Sequence, residues 1–424
     1  GNTANNNSIG IYLWDNSDNN TISGNTANGG GYGIYLNDEC EYNTISGNTV
    51  NNNTDSGIEL YYECHNNTIS GNTANSNGDR GMFFDESDNN TITGNTANNN
   101  SLGIYLYFSD NNTISGNIVN DNDDEGIYLE YSNNNTLSGN TANYNYEGIY
   151  LFDSDNNTIS GNIANENDHG LELYESSDYN TISGNTANDN NEKGIWLDTA
   201  NNNIISGNIA NGNDHSGIYL EGSHENTVSG NTANDNRIFL DKSDYNNITG
   251  NTVNDHTGDP GIYLYYSHHN TVSGNTANNN GEAIILSGSH YNNITGNTVN
   301  NNGNYGIYMN DAHNNTIKGN KVSNNTLSGI YIEEDCDYNE ISENIIYNNT
   351  IGIDIDDLND NNSIYQNFFL ENGIHAEDDG IDNMWNSTSI GNYWDNWTTP
   401  DIDPNDGIVD DEYTFIGGSA GSID

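Results

Sequence analysis

Four side chains about one repeat apart, His268, His290, His313 and Cys336, carry imidazole nitrogen and thiol sulfur. These are the donors of a soft-metal site. If the chain coils so that they fall above one another, they form a His-His-His-Cys column. A straight column with about 4.8 Å between members converges poorly on one ion. Stacked surface imidazoles are therefore the expected arrangement, and copper is not an expected cofactor. A second candidate lies near the C-terminal end. Asp401, Asp403, Asn405 and Glu412 place oxygens at alternate positions and an acid at the twelfth, in the manner of a calcium loop. The loop departs from the EF-hand pattern at its sixth position, where Asp406 stands and Gly407 follows one later. Calcium is the cofactor this points to, with an acidic surface turn as the alternative. Cys40 and Cys64 each follow a coil glycine, Gly33 or Gly57, by seven residues. Stacked one coil apart, their Cα atoms fall within disulfide range. A Cys40–Cys64 bond in an oxidising compartment is expected, against two free thiols.

All three arguments require that sequence spacing mean proximity, so the elements must coil with one period. Gly-Asn recurs at Gly1, Gly24, Gly47, Gly71, Gly94, Gly116 and onward to Gly319, at spacings of 20 to 24 residues. Degenerate copies follow at Glu343-Asn344 and Gln366-Asn367. Within a unit, Ile11 and Leu13 alternate with Tyr12, and Ile22 sits between Thr21 and Ser23. Period two means strand, and no segment shows helical periodicity. Leucine-rich repeats place a helical segment on the convex side, and propeller blades need about 40 residues. The remaining architecture is an all-β parallel β-helix of about 18 coils, in which each coil packs on its neighbours. The repeat array spans residues 1–367. Residues 368–424, with Trp385, Trp394, Trp397, Pro400 and Pro404, read as a degenerate last coil and an acidic cap. Residue 1 falls inside a repeat, so upstream sequence or a stacked subunit is expected there.

In such a coil, residues at one offset form a column. The outward position between Ile and Leu holds Tyr12, Tyr35, Phe83, Tyr105, Tyr128, Tyr150, Trp196, Tyr219, Tyr263, Tyr308 and Tyr331. Trp14 and Tyr61 add to it from the position after Leu. An open aromatic stripe suits a lateral protein seam or sugar stacking, and cross-strand stacking is the plain alternative. The corner residues Asn25, Asn48, Asn72, Asn95, Asn117, Asn140 and Asn162 read as a structural asparagine ladder. The outward Thr21/Ser23 pair and its equivalents form a hydroxyl ladder. Asn-x-Ser/Thr sequons such as Asn19, Asn66 and Asn314 arise partly from the repeat itself.

Charge excludes several partners. The chain has 62 acidic residues against 6 Lys and Arg, a formal −56. Phosphate binding needs cationic clusters, so nucleic acid is not a partner. No apolar run approaches the ~18 residues of a membrane span, so membrane insertion is not expected. A rod so charged repels itself at low salt.

The pattern N-x-I-x-G-N-x-A/V-x-N-N-x-x-G-I-x-L resembles the parallel β-helix repeat family. That family includes the periplasmic copper-binding NosD-like proteins and the carbohydrate-binding and sugar-hydrolase β-helix domains. The resemblance covers residues 1–395 and implies a single-stranded, right-handed solenoid of the kind archaeal-type surface proteins carry. It says less of function, since one fold hosts many roles. The leading expectation is a non-catalytic extracellular structural protein of a cell-surface layer, sheath or filament. It would self-associate end-to-end or laterally through aromatic and strand-edge surfaces. The alternatives are a carbohydrate-binding adhesin, a polysaccharide hydrolase, lyase or epimerase, and a NosD-like metal-handling factor. Lyase chemistry commonly needs a basic residue, and Arg80, Lys193, Arg237, Lys242, Lys318 and Lys321 read as scattered.

Overall fold

A computed structural model describes residues 1–387, 390–397 and 412–424. The described residues form 40 strands and no helix. They fall into two units, Gly1–Tyr219 and Leu220–Asp424. In the first, each coil gives one long strand, such as Ile9–Trp14 or Tyr32–Asn37, and one short strand, such as Thr21–Ser23 or Thr44–Ser46. A single bridge per coil follows, as in Thr26↔Thr49 and Thr49↔Thr73. In the second unit that bridge widens into a third strand, as in Thr276–Asn278 and Thr298–Asn300. Every strand pairs in parallel with its equivalent one coil away, Ile11↔Ile34 in the long ladder and Ile22↔Ile45↔Ile69 in the short one. There is one long strand per coil, 17 in number, against the roughly 18 coils expected. The chain is a right-handed parallel β-helix.

The inward side chains are few and uniform. Ile34, Leu36, Ile45 and Val50 of one coil are all fully buried. Two kinds of glycine hold the path. At Gly57 an added Cβ would lie 2.7 Å from the Gly81 carbonyl oxygen and 2.8 Å from Ala74 Cβ, so only glycine fits. At Gly47 a Cβ would meet nothing within 4 Å, but φ is +60°. There the left-handed backbone, not space, selects glycine. Glu343 (φ 58°) and Gln366 (φ 57°) adopt the same conformation at that position in the last coils.

Most of the buried asparagines are satisfied in ladders, and there are three of them where the sequence analysis recognised one. Asn140 is typical of the recognised corner. Its Oδ1 accepts from the Asn117 N–H and Nδ2 at 3.0 Å each. Its Nδ2 donates to the Ile114 carbonyl and to Asn162 Oδ1, at 2.9 Å each. A second ladder runs through Asn43, Asn67 and Asn90 before each short strand, and a third through Asn53, Asn77 and Asn100. Their sign in the sequence was an Asn recurring directly before the Thr-Ile-Ser-Gly-Asn motif and another five residues after its Asn.

The expected disulfide is corrected. Cys40, Cys64 and Cys336 are free thiols, all fully buried. The Sγ of Cys40 points to the Asn37 carbonyl at 3.4 Å, and that of Cys64 to the Tyr61 carbonyl at 3.5 Å. They occupy the inward turn position that Ser87, Ser109 and Ser132 hold in later coils, where the hydroxyl makes the same kind of local bond. The register makes them vertical neighbours and the two thiols interact with each other, but no bond joins them.

Past residue 367 the coil continues through Phe368–Leu370 and Ile374–Asp378, both paired with the coil before. Beyond them Trp394 stacks between Phe369 (4.2 Å) and Tyr413 (4.1 Å). Trp385 Nε1 donates to the buried Asp378 at 2.8 Å. Of the calcium candidates, Asp401, Asp403 and Asn405 lie outside the described residues, and Glu412 is exposed. Pro400 and Pro404 also lie outside them.

Candidate functional site

The His-Cys column does not assemble. The Ala312 N–H donates to Cys336 Sγ at 3.3 Å, and the Asp337 N–H donates to His313 Nδ1 at 3.1 Å. The vertical neighbour of Cys336 is therefore Ala312, and that of His313 is Asp337. The sequence count slipped by one because the turn before Cys336 holds two left-handed residues, Glu334 and Asp335, where the coil above holds only Asp311. Burial pushes the Cys336 thiol up to about 12, so it stays protonated.

The three imidazoles do stack, with centroids 5.0 and 4.9 Å apart. Each Nδ1 accepts a backbone N–H from the next coil, His290 onto His268 and His313 onto His290 at 3.1 Å each. An accepting Nδ1 leaves the proton of a neutral imidazole on Nε2. His313 Nε2 faces Asp311 Oδ1 at 3.5 Å. The ligating atoms of Asp311, His313 and Asp335 lie within 4.8 Å of one another. A metal on Nε2 would nonetheless displace its proton and compete with the backbone bond to Nδ1.

The aromatic stripe is present but largely closed. Phe83, Tyr105, Tyr128 and Tyr150 stack in sequence at 5.0, 4.7 and 5.0 Å. Tyr12 stacks on Tyr35 at 5.4 Å, Trp196 on Tyr219 at 6.3 Å and Tyr308 on Tyr331 at 5.7 Å. Tyr263 stacks on Phe239 at 4.9 Å. The rings cover one another's faces and present edges and hydroxyls. Tyr331 donates to Asp356 at 2.7 Å, while Tyr105 pairs with Glu130 and Tyr308 with Glu333. Tyr12, Trp14 and Tyr61 stay exposed. A further ring column escaped the sequence analysis: Tyr245, His269 and Tyr291 stack at 4.8 and 5.1 Å from left-handed turn positions that sequon asparagines fill elsewhere.

The same outward face of the first unit gathers ionisable groups. Arg80 and Lys193 begin long strands at the same offset, so they are not scattered. The Arg80 guanidinium lies 4.1 Å above Phe83, and Lys193 Nζ 3.3 Å above the Trp196 ring. These are cation–π contacts. Around them stand buried acids. Burial pushes Glu59 up to about 7, against a 2.7 Å hydrogen bond from Ser56. Burial likewise raises Glu125 to about 7 and Glu172 to about 8. Glu147 rises to about 8 through burial, then through the charges of Glu172 and Glu125. Burial and the Lys193 charge push His169 down to about 4. At neutral pH Glu147, Glu172 and His169 are therefore chiefly uncharged. Beside them lies a shallow depression lined by Asp121, Asp123, Tyr144, Tyr146 and Asp168.

Comparison with known proteins places the chain. A right-handed β-helix region matches residues 1–97. Among solved structures, the A-module of the Azotobacter vinelandii mannuronan C-5 epimerase AlgE6 is 16% identical with a TM-score of 0.44, covering 79% of this chain and 89% of that one. A double mutant of the periplasmic alginate epimerase AlgG is 14% identical with a TM-score of 0.41, covering 74% and 73%. The DFA-IIIase of Arthrobacter chlorophenolicus is 13% identical with a TM-score of 0.41, covering 68% and 83%. No curated protein matches the sequence. The family described as periplasmic copper-binding protein (NosD) matches residues 60–193, 183–258 and 234–399, and the chain belongs to that family.

Proposed function

We propose that this protein works outside the cytoplasm as a non-catalytic carbohydrate-binding solenoid, with the polymer laid along the outward face of the long strands in the first unit. The observation that carries this reading is the concentration of chemistry on that one face. Stacked rings, buried acids and the cations Arg80 and Lys193 all project from it. The outward positions of the short strands carry mainly Thr and Ser. Ring edges, tyrosine hydroxyls and protonated carboxyls suit a hydroxyl-rich chain. The family's periplasmic description supports the location. The family is also described as copper-binding, and a metal at His313 would have to compete with the Asp337 N–H bond to its Nδ1. Self-association through an open aromatic seam loses its main support, because stacking covers the ring faces.

Hydrolysis is the second reading, favoured by Glu147 and Glu172, which hold protons at neutral pH as a general acid must. Affinity electrophoresis through gels containing neutral and acidic polysaccharides, with reducing ends measured in parallel, separates the two. Retardation without release of reducing ends is expected, and it should weaken in a Tyr128→Ala, Tyr150→Ala double variant. Turnover would favour hydrolysis. Unaltered migration in every polysaccharide would refute carbohydrate binding.

A further inference from the structure

Three buried polar atoms on two neighbouring long strands of the first unit have no hydrogen-bond partner: His169 Nδ1, Glu172 Oε2 and Trp196 Nε1. His169 is 8% exposed and Glu172 5%. This is out of keeping with the coil around them, where a buried asparagine such as Asn140 fills four hydrogen bonds. Strands His169–Tyr174 and Lys193–Asp198 pair in parallel, setting Glu172 beside Trp196 and His169 beside Lys193. The His169 ring lies 5.0 Å from the indole and 6.0 Å from Tyr146. Lys193 Nζ covers the indole face at 3.3 Å.

The chemistry of the three atoms selects what could satisfy them. An indole N–H only donates. A carboxyl oxygen accepts, or donates when protonated, and an imidazole nitrogen does either according to tautomer. The ligand must therefore accept from Trp196 and exchange in either sense with Glu172 and His169. An ammonium has no acceptor. A carboxylate or phosphate could accept from all three, but it would enter beside Asp168 on a chain of formal charge −56. A hydroxyl both donates and accepts, and an indole face gives the C–H side of a sugar ring something to rest on. Resting on the carbohydrate-binding reading of this face, we propose that His169, Glu172 and Trp196 form a hydroxyl-recognising subsite for an uncharged sugar unit. The sugar enters by displacing the Lys193 ammonium from the indole.

The test is a calorimetric titration of the whole chain with cellohexaose, mannohexaose and xylohexaose, and with a hexameric mannuronate as the anionic counterpart. At least one neutral hexasaccharide should bind more tightly than the mannuronate. Trp196→Phe, which keeps the ring and loses the N–H, and Glu172→Gln, which keeps the shape, should each weaken that binding at least tenfold. Glu172→Gln should not lower the melting midpoint, because Glu172 Oε2 has no hydrogen-bond partner to lose. If Trp196→Phe does lower it, the isosteric Glu172→Gln decides. Equal neutral-sugar affinity in the variants, or tighter binding of the mannuronate, overturns the subsite while carbohydrate binding stands. Binding of none of these sugars by the unaltered protein overturns both.

Discussion

Gln366 shows what a single residue contributes in a chain of near-identical coils. It sits at φ 57° where most coils have glycine. A left-handed L-residue costs about 1–2 kcal/mol, partly offset by the entropy glycine loses on folding. Gln366→Gly should therefore raise stability by about 0.5–1 kcal/mol in a denaturant titration. Asn140→Ala should do the opposite and more strongly. It strands the Asn117 N–H and the Ile114 carbonyl in the interior. At roughly 1–3 kcal/mol per orphaned group, a loss of about 3 kcal/mol is expected. The thiols give a third check. Ellman's reagent should find none of the three cysteines in the folded protein and all three after denaturation, whereas a Cys40–Cys64 disulfide would leave one. Residue identity in the sequence revealed the Gly-Asn corner, since glycine marks left-handed backbone. It did not reveal the neighbour of Cys336. One extra left-handed residue, Asp335, shifts every later offset in that turn, and only the spacing to the next ladder asparagine, Gly329 to Asn339 against Gly306 to Asn315, carries its sign.

At the scale of the element, the long strand was readable in outline and misread in detail. Period-two alternation placed Ile11 and Leu13 inward and Tyr12 outward, as the structure has them. Whether Tyr105 and Tyr128 would lie open or stacked depends on the about 4.8 Å rise between coils. That rise is close to the contact distance of aromatic rings, so stacking closes the stripe. The acids among those rings make the long strands sensitive to pH. Glu59, Glu125, Glu147 and Glu172 have folded values of about 7 to 8, above the ordinary 4.5. Their stabilising contribution is complete below about pH 4.5 and is lost as pH rises from there through 7 to 8, because below the folded value only the unfolded chain ionises. His169, lowered to about 4, works in the other direction and costs stability as pH falls below 6.5. Four acids outweigh one imidazole. Thermal melts should fall steadily from pH 5.5 to pH 8.5, and the fall should shrink in a Glu147→Gln, Glu172→Gln double variant. A midpoint that rises over this range would contradict the burial of these acids.

For the whole molecule, composition constrains conditions more than chemistry. A formal −56 on 424 residues means that like charges repel throughout the folded chain. Salt shortens the range of that repulsion from about 30 Å at 0.01 M to about 3 Å at 1 M. The melting midpoint should therefore rise between those concentrations, and an unchanged midpoint would mean that local pairing already neutralises the charge. The same composition turned the search for partners away from nucleic acid and toward uncharged polymers, and the repeat pattern led to the family. Neither could show which face works, because Asp and Glu occur in every coil. Only the folded long strands bring Glu147, His169, Glu172 and Lys193 together. Hydrogen–deuterium exchange with and without a bound polysaccharide tests that assignment most directly. Added protection is expected in the long strands of the first unit, above all Glu125–Glu130 through Lys193–Asp198, with the short strands unchanged. Protection confined to the Thr-Ile-Ser strands or to the C-terminal residues beyond Asp378 would contradict it.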